Sequence, residues 1–375
     1  MTVRIDSFDT AGPGDTDALV SRLAAYDPAR IRRLALLVKT EGSAEVNDFS
    51  RELASWRARE AVLAHGGAAL LDRTVLLHST GAEGAMTPFG YLFADLADDP
   101  ADHPADLAAP EPGAHAEPDA ALALGVGRSR EVRGAEIGTA GHVALAEAAV
   151  AEAVADAGLT PDQVALALVK TPLTGHDEPT RVTSAAAKAV GALGSALALG
   201  EVDRTAVVPA AFGRDTGLYS RRTMVFSSSE ADRVEVLVLG NRPGAAGGLR
   251  IASGLLADVL DAPGIRRVLA DAGADLAADG TVREPDRVAA LLVKAGHRSD
   301  GTLRGARTTV LTSQLDPDKH IRAVMSGVAG AVLGSGRMFI SANSVHQAPD
   351  GGGLCVAVVG PAAGGTGRRA AGGGA

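Results

Sequence analysis

The chain is poor in aromatic residues, which make up only 3% of its 375 positions. Its core must therefore be aliphatic, built from Ala, Val and Leu, since apolar residues still reach 46%. That proportion belongs to a globular protein and excludes general disorder. Cysteine is almost absent. Cys355, the single one, cannot form a disulfide within the chain, and its place inside the apolar run 354–359 makes it a small core residue. An excess of basic charge is missing: 36 Lys and Arg face 45 Asp and Glu, for a formal charge of -9. This argues against nucleic acid or an anionic membrane as the main partner. Long apolar runs are lacking too. None approaches the ~20 residues of a membrane span, and residues 1–10 hold no apolar signal region. The expectation is a soluble, cytoplasmic protein with no nucleic-acid and no membrane partner. No paired-His or Cys cluster suggests a metal. No GxGxxG after a strand and no P-loop suggests a nucleotide. No cofactor is therefore expected.

What the chain does have is one segment written three times. DPARIRRLALLVKTEG carries Lys39, TPDQVALALVKTPL carries Lys170, and EPDRVAALLVKAGH carries Lys294. Each sets a Pro beside an acidic residue, then runs through apolar residues into the Lys. Internal repetition is the first feature to look for, because it governs the fold. The apolar run reads as a buried strand, and the Lys at its end sits where a core meets a cleft. A shorter repeat follows each Lys: an apolar strand ending in Ser, at Ser79, Ser227 and Ser341. The Lys-to-Ser separations of 40, 57 and 47 residues imply loops of varying length between recurring strands.

Periodicity fills in the rest. Strands are expected at 3–8, 132–137, 234–239, 307–311 and 354–359. Helices are expected at 15–26, 47–66, 141–158, 183–199, 254–262, 264–272 and 320–333. The small-residue helix 183–199 should pack closely against another backbone. Residues 98–118, rich in Pro, Ala and Asp, read as a linker, and the Ala/Gly tail after 359 as disordered. The chain divides into units at 1–105 (Lys39 and Ser79), 106–248 with an N-terminal linker (Lys170 and Ser227), and 249–375 with the tail (Lys294 and Ser341).

Serine at neutral pH is a weak nucleophile and needs a base within hydrogen-bond reach. A lysine can be that base when burial disfavours its charged form. Lysines at the ends of apolar strands meet that condition, and Ser-Lys is a known variant of triad logic. Loop amides after each Ser could stabilise an oxyanion. The reaction class is attack on an amide or imide carbonyl. His78 and His346 flank serines but do not recur across the three copies.

Taken together, VKTEG with NDFSR (Lys39, Arg51), STGAEG after Ser79, VKTPL (Lys170), ALGSALALGE, the SSSE run with VEVLVLG, and HQAPDGGG form a specific set. Through them nearly the whole chain resembles the ring-opening amidohydrolases, the cyanuric acid hydrolase and barbiturase family. The resemblance implies an α/β fold of three similar units around a pseudo-threefold axis, with one central active site. It implies Ser227 as nucleophile and Lys170 as its base. Ser79 with Lys39 and Ser341 with Lys294 would polarise ring carbonyls, and Arg51 and Arg322 would bind the ring. It also implies a homo-oligomer, a tetramer. Several positions depart from the family. Lys188 stands for the middle arginine, and a point charge does not reproduce a planar two-pronged donor. Thr80, and Ala342 with Asn343, stand where bare glycine backbone would approach the ring. The serine run is shorter, which leaves Ser228 beside Ser227 as a candidate nucleophile. Gly296 replaces an acidic ligand of a structural metal, so no metal is expected.

The expected substrate is a small cyclic amide or imide, opened by Ser-Lys attack, and neither cyanuric nor barbituric acid. A non-hydrolytic protein binding a small heterocycle on the same scaffold is the second reading. An amidase of the Ser-Ser-Lys type is the third, and it leaves the repeat unexplained.

Overall fold

The computed structural model describes residues 2–43, 47–97, 120–175, 177, 181–244 and 248–361. The first sheet draws on β1 (Thr2–Asp9), β2 (Ile31–Lys39), β3 (Thr74–Ser79) and β4 (Phe89–Leu96), with α1 (Asp17–Leu23) and α2 (Ser50–Leu71) between strands. The second draws on β5 (Ala120–Glu131), β6 (Val164–Pro172), β7 (Thr223–Ser228) and β8 (Arg233–Pro243), with α3 (Ala140–Asp156) and α4 (Ser184–Ala198). The third part holds β9 (Arg250–Leu256), α5 (Ala262–Asp271), β10 (Val288–Ala295), a hairpin of β11 (Thr302–Leu303) and β12 (Ala306–Arg307), α6 (Pro317–Leu333), β13 (Phe339–Ala342) and β14 (Gly353–Val359).

The sheet orders are β1-β4-β2-β3, β5-β8-β6-β7 and β9-β14-β10-β13. In each, the strand carrying the repeated Lys pairs parallel with the strand after its helix and antiparallel with the last strand. That Lys strand is thus interior to its sheet. Its apolar run follows, because an interior strand covered on both faces alternates no polar side.

One face of each sheet contributes to a shared core that joins Leu37 and Phe93, Leu168 and Phe226, and Leu292 and Phe339. The other faces pack on helices in three further clusters. The helices bring polar side chains to the strand ends. Thr183 caps α4 by accepting from Ala186 N. Asp316 caps α6 through Asp318 N and Lys319 N, and Gly334 closes it at φ 74. The small residues of α4 allow a close approach to α3: a Cβ on Gly194 would lie 2.6 Å from the Val143 carbonyl.

Five segments differ from expectation, the first being residues 89–96, where no strand was expected and β4 forms. Residues 132–137 contain a 3-10 turn (Gly134–Glu136), and the strand precedes it as β5. Gly125 and Gly127 hide that strand in the sequence. They are needed because a Cβ would fall 2.2 and 2.1 Å from α3 carbonyls. The expected helix at 254–262 is not formed: residues 254–256 are strand, because β9 pairs along β14 as far as Leu256, and residues 257–261 are a turn leading into α5. Of the expected strand at 307–311 only Arg307 is in a strand, as the end of β12. Helix α2 passes residue 66 and breaks at Gly67 (φ 69, ψ -171), then resumes so that Leu70 is buried. The expected linker at 98–118 and the tail from 362 lie outside the described residues. Among the described residues no helix is long and apolar enough to cross a membrane.

Candidate active site

Strand register fixes what each Lys can meet. Lys39 stands directly across from Ser79, and Lys294 across from Ser341. Both pairs are in contact, with Lys39 Nζ 3.3 Å from Ser79 Oγ and Lys294 Nζ 3.0 Å from Ser341 Oγ. In the second sheet Lys170 stands across from Phe226, and Ser227 faces Thr171. Lys170 turns instead to Glu230, Nζ to Oε1 2.7 Å, and Glu230 Oε2 accepts from Arg51 Nε at 2.8 Å. Ser227 Oγ lies 2.7 Å from Ser184 Oγ at the start of α4. The structure therefore brings together two of the three expected Lys-Ser pairs. Lys170 and Ser227 have no hydrogen bond to each other among the described residues.

One cavity of about 190 Å³ collects the strand ends and helix starts. Its lining includes Ser79, Thr80, Ser227, Ser341, Phe226, His78 and Ser184, the cations Arg51, Lys188, Lys319 and Arg322, and the carboxylates Asp316 and Asp318. Drug-sized ligands occupy about 300–1,000 Å³, so this space suits a single small ring. Ser228 is buried, does not line the cavity, and its hydroxyl has no partner among the described residues. Ala342 contributes its carbonyl to Lys188 Nζ at 3.3 Å. Asn343, at φ 66, lines a different cavity beside His346. Lys170 opens on another cavity, with Glu230 and Arg128.

Each helix cation reaches another sheet. Arg51 of α2 meets Glu230 beyond β7, and Arg322 of α6 meets Glu83 beyond β3, with Nη2 to Oε1 at 2.8 Å. In the sequence Glu83 follows Ser79 by four, and Glu230 follows Phe226 by four. The matching place after Ser341 is Val345. The helix cation on that side is Lys188, and no carboxylate stands within ion-pair distance of it among the described residues. Arginine and glutamate have thus both changed in one arm of three. Glu83, Glu230 and Ser184 were missed by the sequence reading, although the shared spacing of the two glutamates was available as a signal.

Burial sets the electrostatics. It holds the Lys39 ammonium well below the usual lysine range, reinforced by Arg322. Burial does the same to Lys294, reinforced by Lys188. Lys188 is lowered by burial against the opposing pull of Asp318. Burial, then Lys170, pushes the His78 imidazole down to about 3, so it is neutral, and neither ring nitrogen has a hydrogen-bond partner among the described residues. His346 is structural: its Nε2 accepts from Gly213 N at 2.8 Å, tying the loop before β7 to the loop after β13. A buried neutral amine beside a serine hydroxyl can take that proton, and the cavity's cations can hold a developing oxyanion.

The loop after β13 does not fit a structural cation. A Cβ on Gly296 would meet Ser344 Oγ at 2.1 Å. The Ser344 hydroxyl donates to the Gly352 carbonyl at 3.0 Å. Gln347 Nε2 donates to the Asn343 and Val345 carbonyls at 3.2 and 3.1 Å. The Gly352, Asn343 and Val345 carbonyls each accept from a side chain of this loop, and Gly296 brings none of the charged oxygen that a hard cation favours. Among the described residues no cluster of His, Cys, Asp and Glu could hold a metal. Chelator-washed protein is expected to retain only traces of divalent metal by elemental analysis. A stoichiometric magnesium, calcium or zinc content would contradict this.

Fold and site define an α/β protein whose buried lysines and serines meet at one small polar pocket. The family described as amidohydrolase ring-opening protein matches residues 4–360. A cyanuric acid amidohydrolase of Pseudonocardia dioxanivorans is 35% identical over 92% of this chain and 94% of its own. A cyclic amide hydrolase of Azorhizobium caulinodans is 32% identical over 96% of this chain and 100% of its own. The crystal structure of cyanuric acid hydrolase from A. caulinodans superposes with a TM-score of 0.81 at 33% identity, covering 96% of this chain and 99% of that one. The chain belongs to the ring-opening amidohydrolases, a family of hydrolases.

Proposed function

We propose that this protein hydrolyses a small cyclic amide or imide, opening the ring by Ser-Lys chemistry in the pocket where the three sheets meet. The observation that carries this is the pair of buried Lys-Ser contacts, Lys39 with Ser79 and Lys294 with Ser341, ending in one 190 Å³ cavity. In this reading the units 1–105, 106–248 and 249–375 surround a pseudo-threefold axis, and their common sheet order supports it. Arg51, Arg322 and Lys188 bind the ring and its oxygens. Ser79, Thr80 and Ser227 line its edge, and the Ala342 carbonyl holds Lys188 in place.

The substrate is neither cyanuric nor barbituric acid. Thr80 and Lys188 both line the cavity, so a symmetric trioxo ring loses a two-pronged contact and meets an added methyl and hydroxyl. A buried polar group left unpaired costs roughly 1–3 kcal/mol. Two mismatches lower kcat/KM by about 10²–10⁴. An assay of both rings beside less symmetric imides (glutarimide, succinimide, hydantoin) is expected to show turnover only among the latter. Efficient opening of either classical ring would overturn the specificity.

A second reading, binding without hydrolysis, is favoured by the Lys170–Glu230 ion pair. Calorimetry would then show a ring bound tightly and returned unchanged. Self-association is part of the proposal as well. Phe49, Leu53, Trp56 and Leu63 leave an exposed apolar stripe along α2, with Trp56 57% exposed. Trp56→Glu is expected to sediment as a smaller species than the wild type. An unchanged sedimentation coefficient would remove α2 from the interface.

A further inference from the structure

We infer that Ser341, with Lys294 as its base, is the nucleophile of this chain, and that Ser227 with Lys170 is not. This inference rests on the reading that the protein opens a cyclic amide, and it names the residues that do so.

Register is the first ground. The place opposite the strand-end Lys is Ser79 in the first sheet, Ser341 in the third and Phe226 in the second. Glutamate spacing gives the same alignment independently, since Glu83 and Glu230 stand four residues after Ser79 and Phe226. The second sheet has therefore lost the hydroxyl that faces its lysine. Ser227 is not a displaced copy within reach of Lys170: its hydroxyl pairs with Ser184.

The lysines differ in the same direction. Lys170 Nζ is engaged by Glu230 at 2.7 Å, and no serine hydroxyl is hydrogen-bonded to it among the described residues. Lys294 has no carboxylate within ion-pair distance among the described residues. Its Nζ donates to the Val225 carbonyl at 2.9 Å and meets Ser341 Oγ at 3.0 Å. The Phe226 ring, with its centroid 5.9 Å from Nζ, keeps water from that end. Burial holding Lys294 low agrees with a neutral amine there.

Geometry also separates the two intact pairs. Ser79 has a second acceptor, the Thr80 carbonyl at 3.3 Å, and Lys39 is drawn to that same oxygen at 2.6 Å. Ser341 Oγ accepts from Lys294 Nζ and has no other hydrogen-bond partner among the described residues, so its hydroxyl proton is not committed to a backbone carbonyl as that of Ser79 is.

The steps balance. Ser341 Oγ attacks a ring carbonyl carbon as Lys294 Nζ takes its proton. The ring C–N bond breaks, and the departing nitrogen receives the proton from Lys294. Water then attacks the resulting ester while Lys294 takes a proton. The ester C–O bond breaks, that proton returns to Ser341, and the product leaves as an open-chain carboxylic acid.

The test uses the full-length protein and methanesulfonyl fluoride, a small reagent that sulfonylates activated serines with loss of fluoride. Peptide mapping by mass spectrometry locates the label. It is expected on Ser341 in the wild type and in Ser227→Ala. Its rate should rise with pH, and it should fall at least a hundredfold in Lys294→Met, which keeps the side-chain volume. Label on Ser227 or Ser79, or a rate indifferent to Lys294→Met, overturns the inference and leaves the hydrolase reading standing. Label on no serine overturns the inference as well. The hydrolase reading itself fails separately, if no imide of the panel is opened.

Discussion

Replacing Glu230 by alanine should destabilise the protein by about 3–5 kcal/mol, the cost of breaking a buried ion pair from one side. Glu230 bridges Lys170, 2% exposed at its side chain, and Arg51, 11% exposed. Without it two buried cations face each other across the junction of the first and second sheets. Burial alone would raise the Glu230 carboxyl, but Lys170 and then Arg51 overcome it and hold the group at about 2. Its pKa is therefore lower folded than unfolded, where it keeps the ordinary glutamate value of 4.5. The stabilisation is complete above the unfolded value and is lost as pH falls through the folded one. Urea unfolding of Glu230→Ala at neutral pH measures the loss. The double change Glu230→Leu with Lys170→Met should restore only part of it, since it removes one of the two buried cations and leaves Arg51 without Glu230. A loss below about 1 kcal/mol, the worth of an exposed pair, would show that the bridge is not buried in effect.

The second large effect falls on turnover. Ser341→Ala and Lys294→Ala should each lower kcat by about 10³–10⁵ on any imide the protein opens, and the double variant should be no worse than either. Groups that act as one unit are non-additive in this way. Because burial holds Lys294 low, the neutral base forms well below the usual lysine range. Activity should therefore rise with pH through that depressed value, and the rise should vanish in Lys294→Met. The same lowered pKa means that the folded state binds fewer protons than the unfolded one, so this group's contribution to stability also rises with pH. Additive losses, or a Ser227→Ala variant as inactive as Ser341→Ala with an unchanged label on Ser341, would break the assignment.

Much of the architecture was legible because the repeat is written in residue types that strands demand. An apolar run ending in Lys is what an interior strand at a cleft requires, and all three became interior strands. Three long strands escaped notice: β5 and β9 carry glycine or small residues where a helix lies against them, and β4, buried along its whole length, shows no alternation of polar and apolar residues. At the site, Lys39, Ser79, Lys294, Ser341, Arg51, Arg322 and Lys188 fall together as the sequence suggested. The second sheet did not yield to pattern alone. Ser227 ends an apolar run as Ser79 and Ser341 do, but strand pairing sets the register, and one residue of offset carries a side chain to a different neighbour. Only the spacing to Glu83 and Glu230 hinted at this. The ion pairs of Arg51 and Arg322 cross between sheets more than a hundred residues apart in sequence, a link that local pattern does not contain.

The central claim, that a ring is opened in this pocket by a serine and a neutral lysine, is tested most directly by incubating the protein with glutarimide, succinimide and hydantoin in oxygen-18 water and weighing the products. The account predicts that at least one ring gains one water. Its new carboxylate should carry one oxygen-18 atom, and the gain should disappear in Lys294→Met. Rings that bind the wild-type protein tightly and are recovered unchanged would contradict it and make the protein a binder.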